Sequence, residues 1–113
     1  MNREEIVAFH QEYKHINTIE HLILEYCNVD AHTYDEIYEK MYRSYKVVSK
    51  WYIKVRIDHL LKLHYLEKLY LIGDDNQMYC ISPRAQRLLL WLDQYADTMR
   101  TKFIEKKEVG NVT

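Results

Sequence analysis

The stretch from Ser49 to Leu66, SKWYIKVRIDHLLKLHYL, constrains this chain more than any other. Ile53, Ile57, Leu60, Leu61 and His64 recur at i, i+4, i+7, i+8 and i+11, so the spacing predicts one apolar face of an α-helix. Ser49 fits its N-cap, because a serine hydroxyl can accept from a first-turn backbone N–H that has no partner within the helix. The other flank carries Lys50, Lys54, Arg56 and Lys62. Residues 43–68 hold seven Lys/Arg against two acids, whereas residues 1–42 hold three against nine. The formal net charge of −1 therefore hides a cationic centre behind an acidic N-terminal third. A helix with one buried face and one basic face is suited to pack on its own domain while meeting phosphates outward.

Two runs rich in aromatic and aliphatic residues, 65–72 and 77–81, flank the turn-forming Gly73-Asp74-Asp75-Asn76, which predicts a β-hairpin. Ser82-Pro83 then opens a helix, with Pro at the first helical position, where its missing N–H costs nothing. Upstream, Asn17 with Glu20 and Thr33 with Glu36 read as capping boxes. The first starts a helix with Ile19, Leu22, Ile23, Tyr26 and Cys27 on one face, ending near Asn28; the second starts a helix of about 9 to 11 residues faced by Ile37 and Met41. An amphipathic helix over 3–15 precedes them. With two Gly and one Pro in 113 residues, the chain has few interruptions. The expected fold class is mainly α with a small β-hairpin, in one domain over 1–107: an N-terminal helix (3–15), a helix–helix–basic helix–hairpin body (17–82) and a long C-terminal helix (83–106), with 108–113 frayed.

This order of elements is that of a winged helix-turn-helix domain, and the segment 17–95 resembles the MarR/PadR-like repressors. Ser49-Lys50, Ile53, Ile57, Leu60 and Tyr65-Leu66 match the recognition helix and its turn into the wing; Tyr79, Ile81, Ser82, Ala85 and Leu88 match the exit from the wing. The resemblance implies a sequence-specific double-stranded DNA-binding protein, a dimeric transcriptional regulator. Lys50, Lys54, Arg56 and Lys62 would then bind phosphates or base edges, with Ser49, Tyr45 and Lys46 at the helix entry, where Tyr45 and Lys46 of the 43–48 link would reach the DNA backbone. Trp51, Val55, Asp58 and Lys62 lie opposite Ile53 and Ile57, the side that enters the major groove in the resembled fold. Of these, Val55 is kept as a thymine-methyl contact, while Trp51 is expected to pack inward. The apolar stripe of the last helix continues through Ala96, Met99 and Phe103, and the N-terminal helix offers Ile6, Phe9 and Tyr13. Flanking helices of this kind are similar to the dimerisation elements of the family.

Two positions depart from the pattern. His64 stands where the family has Gly, and the wing tip is acidic, so phosphate would repel it. Either the wing stands clear of DNA, or the domain docks on a protein, as an antirepressor or adaptor would. A plasmid or phage partition or replication accessory protein shares the fold and the DNA contact. No catalytic residues, metal site or cofactor are expected. His10 and His15, like His59 and His64, are five apart and so fall off a common helix face, and no nucleophile motif or Gly-rich phosphate loop occurs. Cys27 and Cys80 read as free buried thiols. No apolar run reaches the ~20 residues of a membrane span, and no apolar segment follows the N-terminus as in a signal peptide, so a cytoplasmic location is expected.

Overall fold

The computed structural model describes residues 2–47, 49–70 and 77–96. The chain divides into two units: residues 16–86, and residues 1–15 together with 87–113.

In the larger unit, α2 (Thr18–Val29), α3 (Tyr34–Tyr45) and α4 (Lys50–Lys62) pack with the strands β1 (His32–Thr33), β2 (Leu66–Leu69) and β3 (Met78–Ile81). Both capping boxes form. Asn17 accepts from the Glu20 N–H while Glu20 accepts from the Asn17 N–H, and Thr33 and Glu36 reciprocate in the same way. Thr33 also explains a strand that the sequence reading did not anticipate. An N-cap residue has extended backbone, and here the extended pair His32–Thr33 joins the antiparallel sheet opposite Tyr79 and Met78, giving the order β1-β3-β2. The hairpin is in register from Leu66↔Ile81 to Leu69↔Met78. Its acidic tip, Asp74 and Asp75, lies outside the described residues.

The apolar faces of α3 and α4 meet as the spacing requires, with Ile37 and Met41 of α3 and Ile53, Ile57 and Leu60 of α4 buried. α2 is turned from the expected face: Glu20, Ile23, Leu24 and Cys27 are buried, while Ile19, Leu22 and Tyr26 are half-buried. The last helix, α5, begins at residue 83 and is helical through 96. Ser82 caps it through the Ala85 N–H at 3.2 Å and also donates to the His64 carbonyl at 2.6 Å, tying the end of the wing to the end of α4. Cys27 is buried and Cys80 half-buried, both free. Burial pushes the Cys27 thiol up to about 12.

The boundaries of the basic helix differ from the sequence reading. α4 ends at Lys62, and His64 adopts the left-handed conformation (φ 61°) instead of continuing the apolar face. The Tyr65 N–H then reaches back to Leu60 O at 2.9 Å and the His64 N–H to Leu61 O, a Schellman-type stop that normally takes glycine. α3 is 12 residues long, so Arg43, Ser44 and Tyr45 are helical and the link to α4 shrinks to residues 46–49, with Lys46 also left-handed (φ 60°).

In the smaller unit, α1 (Arg3–Tyr13) starts at Asn2, whose side chain accepts from the Glu5 N–H. Phe9 is buried and stacks on Tyr13 and on Tyr95 at 5.3 and 5.4 Å between ring centroids. Arg87 pairs with Glu12 at 3.4 Å and lies over the Trp91 ring. The Phe9 stripe thus finds a partner within the chain. Ile6 is half-buried and Ala96 exposed, and Met99 and Phe103 lie outside the described residues. Among the described residues, no helix is long and apolar enough to cross a membrane, and no group of three or more His, Cys, Asp or Glu is placed to hold a metal ion.

Candidate nucleic-acid interface

Each helical residue advances about 100° around the axis, so burying Ile53, Ile57 and Leu60 turns a fixed set of residues outward. Trp51, Lys54, Val55, Asp58 and Lys62 form that stripe, with Lys50 at its edge. Lys50, Lys54, Asp58 and Lys62 are exposed and Val55 is half-buried. Trp51, expected to pack inward, is instead 73% exposed. It lies two residues before Ile53, roughly 160° around the helix from it, and the burial of Ile53 carries the indole to the solvent side.

Three contacts fix the start of this helix. Ser49 Oγ accepts from the Tyr52 N–H at 3.0 Å, closing the N-cap. The Tyr34 hydroxyl at the head of α3 donates to the Lys50 carbonyl. Asn17 Nδ2 donates to the Tyr52 hydroxyl at 3.2 Å, linking the cap of α2 to α4. The Lys50 ammonium sits 5.2 Å from the centre of the Tyr38 ring and stays at the surface. No acid occurs in the first turn of α4, and His59 and Lys62 occupy its last turn. The end that meets the positive pole of the helix dipole is therefore cationic, an arrangement that favours an external anion over internal stability.

The remaining sequence-identified residues divide. Tyr45 and Lys46 are exposed next to the α3–α4 link, and the Lys46 N–H caps α3 through Met41 O and Tyr42 O. Arg56 does not join the outward stripe. Its guanidinium lies 5.4 Å from the Tyr52 ring centre and 3.9 Å from Glu20 Oε1. Glu20, 1% exposed, also takes the His59 Nδ1 on its other oxygen. One buried carboxylate therefore closes the α2 capping box and holds two side chains of α4. Sequence reading found Glu20 as a cap residue and missed its second role; the only signal was a basic residue and a histidine three apart on the flank of α4. On the wing, Leu69 and Tyr70 are exposed.

No protein-family model matches the sequence, and no curated protein matches it. Solved structures do match in three dimensions. The chain superposes on Rv1404 from Mycobacterium tuberculosis with a TM-score of 0.74 at 10% identity, covering 90% of this chain and 67% of that one. A PadR family transcription regulator from Clostridium difficile R20291 gives 0.59 at 10% identity, over 86% of this chain and all (100%) of that one. ZitR, a zinc-responsive MarR family member from Lactococcus lactis, gives 0.57 at 11% identity, over 87% and 63%. The chain thus spans about two thirds of the length of Rv1404 and of ZitR. Helix, short strand, helix, basic helix and hairpin follow one another in the larger unit, and the chain has the winged helix-turn-helix fold shared by PadR-family and MarR-family transcription regulators.

Proposed function

We propose that this chain is a sequence-specific double-stranded DNA-binding protein, a transcriptional regulator that acts as a homodimer and lays α4 in the major groove. The observation that carries the reading is the outward stripe of α4, where Lys50, Lys54 and Lys62 are exposed and the first turn holds no acid. Lys50, Lys54 and Lys62 bind phosphates or base edges, Ser49 positions the helix start, and Tyr45 and Lys46 reach the backbone beside it. Arg56 takes a different part: held by Glu20 and Tyr52, it sets the orientation of α4. Val55 contributes an apolar contact within the groove. The dimer forms through the smaller unit, where Val7 and Leu90 leave apolar side chains exposed.

Binding to duplex DNA from a random pool, measured by fluorescence anisotropy across a salt series, tests this. Phosphate neutralisation releases counterions, so log affinity should fall linearly with log salt at about −0.9 per contact. Lys50→Ala with Lys54→Ala should weaken binding and make the slope shallower by about 1 to 2. A double variant with the parent's affinity and slope would remove α4 as the DNA surface. A second use of the domain, docking on a protein, is favoured by the exposed Leu69 and Tyr70 of the wing. It predicts instead a parent that shows no salt-dependent affinity for duplex DNA.

A further inference from the structure

The outward stripe of α4 carries one large side chain that neither phosphate binding nor folding explains. Trp51 lies in the first turn of the helix with 73% of its surface exposed. Lys50 and Lys54 flank it in sequence, and Tyr38 and Tyr42 of α3 stack on each other near the same end, with Lys50 over Tyr38. The buried α4 residues Ile53, Ile57 and Leu60 occupy the opposite face, so no rotation of the helix within its packing could bury the indole. A surface tryptophan among lysines is costly to solubility and gives nothing to the core. It becomes useful when an apolar partner meets it between two rows of phosphates.

We propose that Trp51 is the principal base-reading residue of this chain and that it recognises the C5-methyl group of thymine in the major groove. This rests on the DNA-binding reading above. Of the features that base pairs present in the major groove, the thymine methyl is the apolar one. An indole offers a wide apolar face and a single N–H donor, with no acceptor. It therefore suits a methyl group beside an acceptor such as thymine O4. Lys50 and Lys54, both on one side of the indole around the helix, supply phosphate contacts beside the ring, so a cationic edge borders an apolar centre. Val55, one turn further on the same stripe, extends the apolar strip, and Asp58 beyond it offers an acceptor for a cytosine amino group. The stripe thus runs from a methyl-seeking end to an amino-seeking end along about two turns of helix.

Duplexes enriched by the parent protein from a random pool provide the probe. On the most enriched duplex, replacing thymines one at a time by deoxyuridine deletes the methyl and leaves every hydrogen-bonding group in place. We expect at least one replacement to weaken the parent about fourfold, the scale of one buried methyl. The same replacement should not change Trp51→Ala, and Trp51→Phe should retain part of the discrimination. Trp51→Ala should keep the parent's salt slope on unselected duplex, because it removes no phosphate contact, and should lose much more affinity for enriched than for unselected duplex. A Trp51→Ala variant that keeps the parent's sequence preference would overturn the proposal. So would one that loses enriched and unselected duplex by the same factor, or thymine replacements that leave the parent unmoved at every position. A parent that binds duplex in a salt-dependent way but enriches no sequence overturns Trp51 as a reader and the sequence specificity proposed above, and leaves α4 as a duplex-binding surface. A parent that binds no duplex overturns both.

Discussion

Replacing Glu20 tests whether one buried carboxylate aligns the basic helix. The side chain accepts the Asn17 N–H at 2.9 Å, meets His59 Nδ1, and lies 3.9 Å from the Arg56 guanidinium. Glu20→Ala removes half of a capping box, worth about 1 kcal/mol. It also removes the carboxylate's contacts with Arg56 and His59. A fully buried pair that loses one member costs about 3–5 kcal/mol. Arg56 and His59 are 25% and 36% exposed at their side chains and can turn to water, so about 2 kcal/mol is the better figure here. The sum, about 3 kcal/mol, is a large share of a small domain's stability. Glu20→Gln keeps the shape and the acceptor and loses only the charge, so it should cost about 1–1.5 kcal/mol. Urea unfolding followed by circular dichroism measures both: at about 1.5 kcal/mol per M, the alanine variant should unfold near 2 M lower in urea. DNA affinity gives a second readout in which two effects oppose. Removing an acid raises the positive charge and by itself strengthens phosphate binding, whereas releasing α4 weakens it. If Glu20 orients the helix, the glutamine variant binds enriched duplex more weakly than the parent. A stability loss below about 0.5 kcal/mol in the alanine variant would refute the clamp, and tighter binding by the glutamine variant would refute its role in aligning α4.

His64→Gly should raise stability by about 1 kcal/mol, because His64 holds a left-handed conformation that a Cβ disfavours; thermal unfolding checks it, and a lowered midpoint would show that the imidazole makes a contact worth more than the strain. The Thr33 backbone N–H, aided by its hydroxyl and by His32, holds the Glu36 carboxyl below the usual carboxylate range. A depressed folded-state pKa means that Glu36 stabilises the fold above the ordinary carboxylate pKa and that this contribution is lost as pH falls through the folded value. Stability measured between neutral and acid pH should therefore decline less steeply in Glu36→Gln than in the parent, and identical acid limbs would contradict the assignment. Val7→Asp with Leu90→Asp should convert a dimer to a folded monomer in analytical ultracentrifugation, since both apolar side chains are exposed in the isolated chain; a parent already monomeric at tens of micromolar would remove the dimer from the proposal.

Much of this molecule is decided by local chemistry and is therefore legible in its sequence. The caps at Asn17, Thr33, Ser49 and Ser82 and the apolar faces of α3 and α4 follow from hydrogen bonds and periodicities that span at most a few turns. The hairpin follows from two apolar runs around a turn, and its register is fixed once Leu66 and Ile81 must both face the core. What the tertiary structure decided is which flank of each helix meets which neighbour. Arg56 and Lys54 are both basic residues outside the apolar face, and nothing local separates them. Only the placement of the α2 cap beside α4 turns Arg56 into a tether and leaves Lys54 at the surface. Trp51 was misjudged because hydrophobicity favours burial of an indole, whereas the phase of α4 is set by three aliphatic residues acting together, and one tryptophan cannot overturn it. The strand β1 and the left-handed Lys46 escaped for a related reason. Two extended residues become a strand only when β3 supplies their hydrogen bonds, and a lysine accepts a strained conformation only when the helices on either side hold it there.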